Sequence, residues 1–236
     1  MTGLAGRTLV LFDAYNTIID LGNAHETAIA SILRTEHAQV DPDVFHRYWD
    51  ERERVNLLEA AARDGGPFLI QAALNVKSLR ETFEHFGMAG DAESGVELWV
   101  ELSRRRAPYD DVRPAIDSLR EHYALGVVSN ADNYPLLNIL EREGLEFEAV
   151  VTSETVKAYK PNPRIFRYAL KTFGKKATEA VYVGDSPATD FPGAASLGIL
   201  TVWIDRKGYG LKKGEPAPDR TVRGLMEVHD AIEERR

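Results

Sequence analysis

Apolar positions along this chain fall into three regimes. Residues 8–12 form an uninterrupted apolar run of strand length, followed by polar Asp13, Asn16 and Thr17 and then by Ile18 and Ile19, a pattern that predicts a buried strand opening into a turn. From Ala24 to about Arg106 the apolar residues recur at helical spacing among many charges, and four helices are predicted. The first carries Ala28, Ile29, Ile32 and Leu33; the second starts at an Asp41 N-cap with Pro42 in its first turn and runs through Val44, Tyr48, Val55 and Leu58. Gly65, Gly66 and Pro67 break the second helix; a third runs through Leu69, Ala73, Val76, Leu79 and Phe83 to Gly87, and a fourth spans roughly 92–105. After Pro108 short apolar runs alternate with amphipathic stretches: helices over 112–122, 134–143, 162–169, 191–197 and 225–233, and strands over 125–128, 149–152, 180–183, 201–204 and near Thr221. Strands alternating with helices predict an α/β fold whose parallel sheet is covered on both faces, interrupted by an inserted helical unit.

Composition adds limits. The 236 residues are 44% hydrophobic and 28% charged, enough for one large or two smaller domains with a sizeable core. A net charge of -8 argues against broad affinity for nucleic acid or anionic membranes, which need clustered Lys and Arg. The absence of cysteine removes disulfides, thiolate metal sites and a Cys nucleophile. No long apolar run or signal-like start is present, so the expectation is a cytoplasmic protein, monomer or homodimer. Arg104, Arg105 and Arg106 read as a solvated helix end, and Trp49 and Trp99 as packing anchors.

The candidate chemistry lies at predicted strand ends. Asp13 follows the first strand, Ser129 and Asn130 follow the next, Lys160 stands in a later loop, and Asp185 with Asp190 follows AVYVG. Each has an ordinary structural explanation: a capping Asp, a polar turn, a solvated lysine before Pro161, a helix N-terminus. Together they place a nucleophile, hydroxyl and amide donors, a lysine and paired carboxylates along one sheet edge, where open α/β sheets bind ligands.

Four segments carry a resemblance: FDAYNT at 12–17, VVSN at 127–130, YKPNPRIF at 159–166 and VGDSPATDFPGAASLG at 183–198. In them the chain resembles the haloacid dehalogenase-like hydrolase superfamily. The resemblance implies a Rossmann-like catalytic core over 1–20 and 107–236, and an α-helical cap over 21–106. It further implies a Mg²⁺-dependent phosphatase acting on a small phosphorylated substrate. Asp13 would attack phosphorus, Ser129 and Lys160 would hold the transferred group with Thr17 and Asn130 offering donors, and Asp185 would bind the metal with Asp190 in or next to its shell. The Tyr15 carbonyl would complete an oxygen-only site of the kind Mg²⁺ prefers.

One position departs from the phosphatase pattern. Two residues after the nucleophile, where such enzymes carry a second Asp as general acid, this chain has Tyr15, whose ordinary pKa of about 10 makes it a poor base near neutrality. The DAY of Asp13 to Tyr15, followed by Thr17, is similar to the opening motif of metal-independent 2-haloacid dehalogenases, whose halide leaves without a proton. Against that alternative stand Gly184-Asp185-Ser186 and the residue beside Trp49, which is Asp50 where an Arg for the substrate carboxylate is expected, with Arg52 and Arg54 nearby. A third alternative is a binding or regulatory module with reduced chemistry.

Overall fold

The structure is a computed structural model describing residues 8–63 and 67–234; the chain start at 1–7 and the helix-breaking Gly65 and Gly66 lie outside the described residues. The chain opens with β1 (Leu9–Phe12), then four helices, α1 (Ala24–Thr35), α2 (Pro42–Ala62), α3 (Gln71–His85) and α4 (Ala92–Arg104). It continues through α5 (Val112–His122), β2 (Ala124–Ser129), α6 (Asn133–Arg142), β3 (Ala149–Thr152), α7 (Ser153–Val156) and α8 (Pro163–Phe173). The last part comprises β4 (Ala180–Gly184), α9 (Pro187–Ala195), β5 (Leu200–Ile204), β6 (Arg220–Val222) and α10 (Val228–Glu233). The strands form one sheet in the order β3-β2-β1-β4-β5-β6, and every pair in it is parallel.

This Rossmann-like arrangement follows from the apolar runs. β1 sits in the centre, and all four of its residues are buried because helices cover both faces. On one face Val10 and Phe12 pack with Ile116 of α5, Ile139 of α6 and Val228 of α10. On the other, Leu9 and Leu11 pack with Phe166 and Phe173 of α8 and with Ala194 of α9. The inserted helices have their own core of Ile29, Phe45, Trp49, Leu79, Phe83 and Val96.

Three helices depart from the predicted pattern; α3 starts at Gln71, so Leu69 precedes it and is exposed. The Asp41 N-cap of α2 forms, accepting from the Asp43 and Val44 amides. Its buried face, however, runs through Phe45, Trp49 and Asn56, one position round from the predicted stripe, and Val44 is exposed. Helix α9 begins at Pro187 and not at Phe191, because its first turn is polar and faces the sheet edge and so carries no apolar period. Short α7 lacked any periodic signal. Among the described residues, no helix is long and apolar enough to cross a membrane.

The inserted helices are fastened to the sheet domain by specific bonds. Asp132, at the start of α6, makes no capping bond to its own helix, whose first amide donates to Glu154, and instead accepts from the Gln71 and Ala72 amides at the start of α3, at 2.7 and 2.9 Å. Tyr159 donates to the Leu69 carbonyl, Asn162 donates to that of Ala61, and Arg142 donates to those of Arg104 and Arg106. The Arg104–Arg106 stretch is therefore part of this junction, with Arg106 also donating to Asn23.

Candidate active site

Asp13 leaves the end of β1 with its amide hydrogen-bonded to the Val183 carbonyl. The turn behind it closes on Ala14, whose carbonyl accepts from both Ile18 and Ile19, while Asn16 takes the left-handed conformation that Asn tolerates well. The sheet order then brings the ends of β2 and β4 to either side. Ser129 donates to Asp13 Oδ1 at 3.1 Å, and Lys160 Nζ donates to the same oxygen at 2.5 Å. Lys160 also donates to Asp190 Oδ1 at 2.6 Å and to the Tyr182 hydroxyl at 2.8 Å. Thr17 Oγ1 lies 3.5 Å from Asp185 Oδ1, and the Asp185 carbonyl accepts from Trp203 Nε1. All the residues expected from the sequence therefore meet at one sheet edge, but in differing relations to the cleft.

Asn130 is used up within the protein: its Oδ1 accepts from the Lys160 amide and its Nδ2 donates to the Lys160 carbonyl. It clamps the lysine loop. Asp190 is completely buried, with Oδ1 taken by Lys160 and Oδ2 accepting from the Ser186 amide at 2.8 Å. Two glycines make this packing possible. A Cβ on Gly184 would stand 2.3 Å from Asp190 Oδ2, and one on Gly193 would stand 2.1 Å from the Pro161 carbonyl, so each close approach requires glycine.

Electrostatically the site is a negative cluster around one ammonium. Asp13, Asp185 and Asp190 offer carboxylate oxygens within 4.8 Å of one another. Burial lifts the Asp13 carboxyl from its ordinary 3.8 to about 6 against the pull of Lys160, with Asp190 adding to the rise. Burial, then the charges of Asp13 and Asp190, hold Asp185 well above the usual carboxylate range. Lys160 is nearly inaccessible, yet Asp13 and Asp190 outweigh that burial and push its pKa up, so it stays charged. The Tyr15 hydroxyl is held above its ordinary value by burial and by the charges of Asp13 and Asp132.

A cleft of about 280 Å³ opens over Asp13, bordered by Tyr15, Leu57, Trp99, Ser129 and Lys160. Past Tyr15, Asn75 and Trp99 it adjoins a chamber of about 230 Å³ beneath α4, lined by Leu21, Val100 and Pro135. Trp99 thus lines both spaces as well as packing against Trp49. Arg54 borders the cleft but is paired with Glu51, and Arg52 is paired with Glu81.

Two residues at the site were not singled out by sequence reasoning. Tyr182 is buried in β4 with its hydroxyl donating to the Val128 carbonyl and standing 3.2 Å from Asp190 Oδ1. A tyrosine inside the apolar run AVYVG is the signal that marks it, since a buried hydroxyl needs partners. Glu53 of α2 borders the cleft; its Oε1 is buried without a hydrogen-bond partner, and burial with the charge of Asp50 holds the carboxyl well above the usual range. One glutamate among the many charges of α2 carries no comparable mark.

Comparison with known proteins agrees with this geometry. The chain is 34% identical over 182 residues to a phosphoserine phosphatase of Thermus thermophilus, covering 72% of this chain and 68% of that one. It is 27% identical over 170 residues to haloacetate dehalogenase H-2 of a Moraxella species, covering 71% and 73% of the two chains. A magnesium-bound HAD-hydrolase of Bacillus subtilis superposes with a TM-score of 0.80 over 96% of this chain and 99% of its own, at 17% identity, a likeness of fold. The sequence also matches the family profile of the haloacid dehalogenase-like hydrolases over residues 8–198, which takes in Asp13, Ser129, Lys160, Asp185 and Asp190, and the chain belongs to that family.

Proposed function

We propose that the protein is a Mg²⁺-dependent phosphatase that hydrolyses a small phosphorylated metabolite through a covalent intermediate on Asp13. The observation that carries this reading is the convergence of Asp13, Asp185 and Asp190 around the single ammonium of Lys160. Three carboxylates in one partly buried site are poorly matched by one positive charge, and the donors are all oxygen, which suits a hard divalent cation. Asp13, Asp185 and the Tyr15 main-chain carbonyl would hold it. Asp190, with both oxygens already engaged by Lys160 and the Ser186 amide, would hold Lys160 in place beside them. When bound, the cation offsets the negative charge of the cluster and of a phosphoryl oxygen.

The rest is the work of the chain's own groups. Lys160 and Ser129 both engage Asp13 Oδ1, fixing the carboxylate and leaving Oδ2 to attack phosphorus. The bond to the leaving alcohol breaks as the aspartyl–phosphorus bond forms, and water later releases phosphate and regenerates Asp13. The positive charge of Lys160 offsets the negative charge of the transferred group, and the Ser129 hydroxyl, whose one proton points to Asp13 Oδ1 here, would turn to a phosphoryl oxygen when substrate is bound. The leaving alcohol needs a proton, and Tyr15 holds its own too firmly to exchange it near neutrality. In this reading Glu53 supplies it, because the inserted helices act as a cap that brings to the cleft a carboxyl whose affinity for its proton burial and the charge of Asp50 raise.

A 2-haloacid dehalogenase is the second reading, favoured by Tyr15 and by a leaving halide that needs no proton. It leaves Asp185 without a task and finds the bordering Arg54 engaged by Glu51. Phosphate release from a panel of phosphomonoesters and halide release from 2-haloacids, each with Mg²⁺ and with EDTA, separates the two. The expected result is Mg²⁺-dependent phosphate release that disappears in Asp13→Asn. Halide release insensitive to EDTA, with no phosphate release, overturns the proposal.

A further inference from the structure

Away from the sheet edge, on the inserted helices, two histidines and an aspartate converge. Nε2 of His46 lies 3.1 Å from Nδ1 of His25. Asp50 places Oδ1 3.3 Å from His25 Nδ1 and Oδ2 3.4 Å from His46 Nε2. His46 and Asp50 are one helical turn apart on α2, and His25 reaches them from the first turn of α1. We propose that His25 Nδ1, His46 Nε2 and Asp50 form a zinc-binding site that ties α1 to α2.

The distances carry the argument. Ligands roughly 2.0–2.2 Å from a tetrahedral zinc lie about 3.3–3.5 Å from one another; His25 Nδ1 and His46 Nε2 are 3.1 Å apart, each meets a different oxygen of Asp50 at 3.3 and 3.4 Å, and one donor atom from each of the three residues lies within 4.8 Å of the other two. Two imidazoles and a carboxylate are a common zinc donor set, with the fourth position open to water. The convergence does not depend on chance rotamers. The His25 ring is stacked on Trp99 with centroids 4.9 Å apart, meets Trp49 edge-on at 4.3 Å, and crosses His46 at 82°. Neighbouring aromatic rings therefore hold the His25 ring in place before any ion arrives. Two imidazole nitrogens face each other and one carboxylate, and a cation engages all three residues at once.

The site is separate from the Asp13 cluster in ligand type, nitrogen as well as oxygen, so the two can be tested apart. Its consequence is mechanical. Helix α1 is the first element after the catalytic turn, and Gly22, in a left-handed conformation with φ 51°, lies three residues before His25. Fixing α1 to α2 fixes the element through which the inserted helices join β1.

The test is a titration of the full chain with Co²⁺ and Zn²⁺ in excess Mg²⁺, read by tryptophan fluorescence, to which Trp49 and Trp99 contribute beside this site and Trp203 beside Asp185, and by the visible absorption of four-coordinate Co²⁺. The expected result is saturable quenching by one equivalent of Co²⁺, reversed by Zn²⁺, unchanged in Asp185→Asn and weakened at least tenfold in His46→Gln and in Asp50→Asn. Circular dichroism identifies any variant that fails to fold, and the other variant then decides. Quenching that survives both substitutions, or that is lost in Asp185→Asn alone, overturns the assignment. So does a wild-type chain that binds neither ion below about 100 μM, which leaves a hydrogen-bonded triad only.

Discussion

The ammonium of Lys160 lies 2.5 Å from Oδ1 of Asp13, and both side chains are almost wholly buried. An ion pair in that setting is strong only while both partners remain, because each charge has lost its water. Lys160→Met therefore removes the counter-charge of Asp13 and Asp190 together. The expected cost is about 3–5 kcal/mol of stability, the usual range for breaking a buried pair, with turnover falling below detection. Asp13→Asn keeps the shape and the bond to Lys160, so it is expected to abolish turnover with a much smaller change in melting temperature. Thermal melts beside steady-state rates check this contrast; equal destabilisation by both variants would contradict it.

Metal binding is expected to depend on pH in a definite direction. The folded-state pKa of Asp13 is raised to about 6 from 3.8, and that of Asp185 is also raised, both mainly by burial. A carboxyl raised in the folded state contributes stability that is fully present below its unfolded pKa and is lost as pH rises through the folded one. The metal-free protein thus loses this contribution between about pH 4 and pH 6 for Asp13, and as pH rises through the raised folded-state pKa for Asp185. Mg²⁺ needs the ionised forms, so its stabilisation grows over the same range. Melting curves with and without Mg²⁺ should diverge more at pH 7.5 than at pH 5, by roughly several degrees for 1–2 kcal/mol of binding linkage. The divergence should be small in Asp185→Asn.

Much of this was legible in the sequence because burial on both faces leaves strands as plain apolar runs, and because each site segment ends such a run. Asp13, Ser129 and Asp185 were found that way, and the parallel alternation placed them on one edge. The limits were physical too. Asp190 and Asn130 could be located, yet their partners could not, since hydrogen bonds to Lys160 span 30 residues in each case. The face of α2 was misjudged by one position because its stripe includes buried Asn56, satisfied by Ser78, which no apolar pattern reveals. Glu53 is conspicuous only once the helix is placed over the cleft.

Asp132 links the sheet domain to the inserted helices by capping α3, a helix whose own N-cap residue, Ile70, supplies no side-chain bond. Asp132→Ala leaves two amides there without these acceptors, at an expected cost of about 1 kcal/mol, typical of a lost N-cap. Because Gln71 and Ala72 also line the chamber beneath α4, the effect should fall more on KM than on kcat. Asp132→Asn retains one of the two acceptors and should recover only part of the loss. A fall in kcat with KM unchanged would mean that the junction shapes the chemical step instead.

The source of the leaving-group proton gives the sharpest prediction. If Glu53 donates it, Glu53→Gln should slow esters of poorly leaving alcohols by roughly 10²- to 10⁴-fold, the usual worth of general acid-base assistance. Aryl and acyl phosphates, whose leaving groups need little help, should be nearly unaffected, so a plot of rate against leaving-group pKa should steepen. Tyr15→Phe removes a hydroxyl that does not exchange its proton near neutrality and should change rates by only a few-fold. Tyr15→Asp places a carboxylate where the resemblance to phosphatases of this family puts their acid, but it also removes a ring that borders both cavities and packs on the sheet core. In the Glu53→Gln background it should recover part of the lost rate for poor leaving groups and little for activated ones. The comparison must be made where chemistry limits turnover, which a burst-free time course establishes. Unchanged leaving-group dependence in Glu53→Gln, with a steep fall in Tyr15→Phe, would transfer the proton to Tyr15 and require its hydroxyl to be far more acidic in the substrate complex than burial beside Asp13 makes it here.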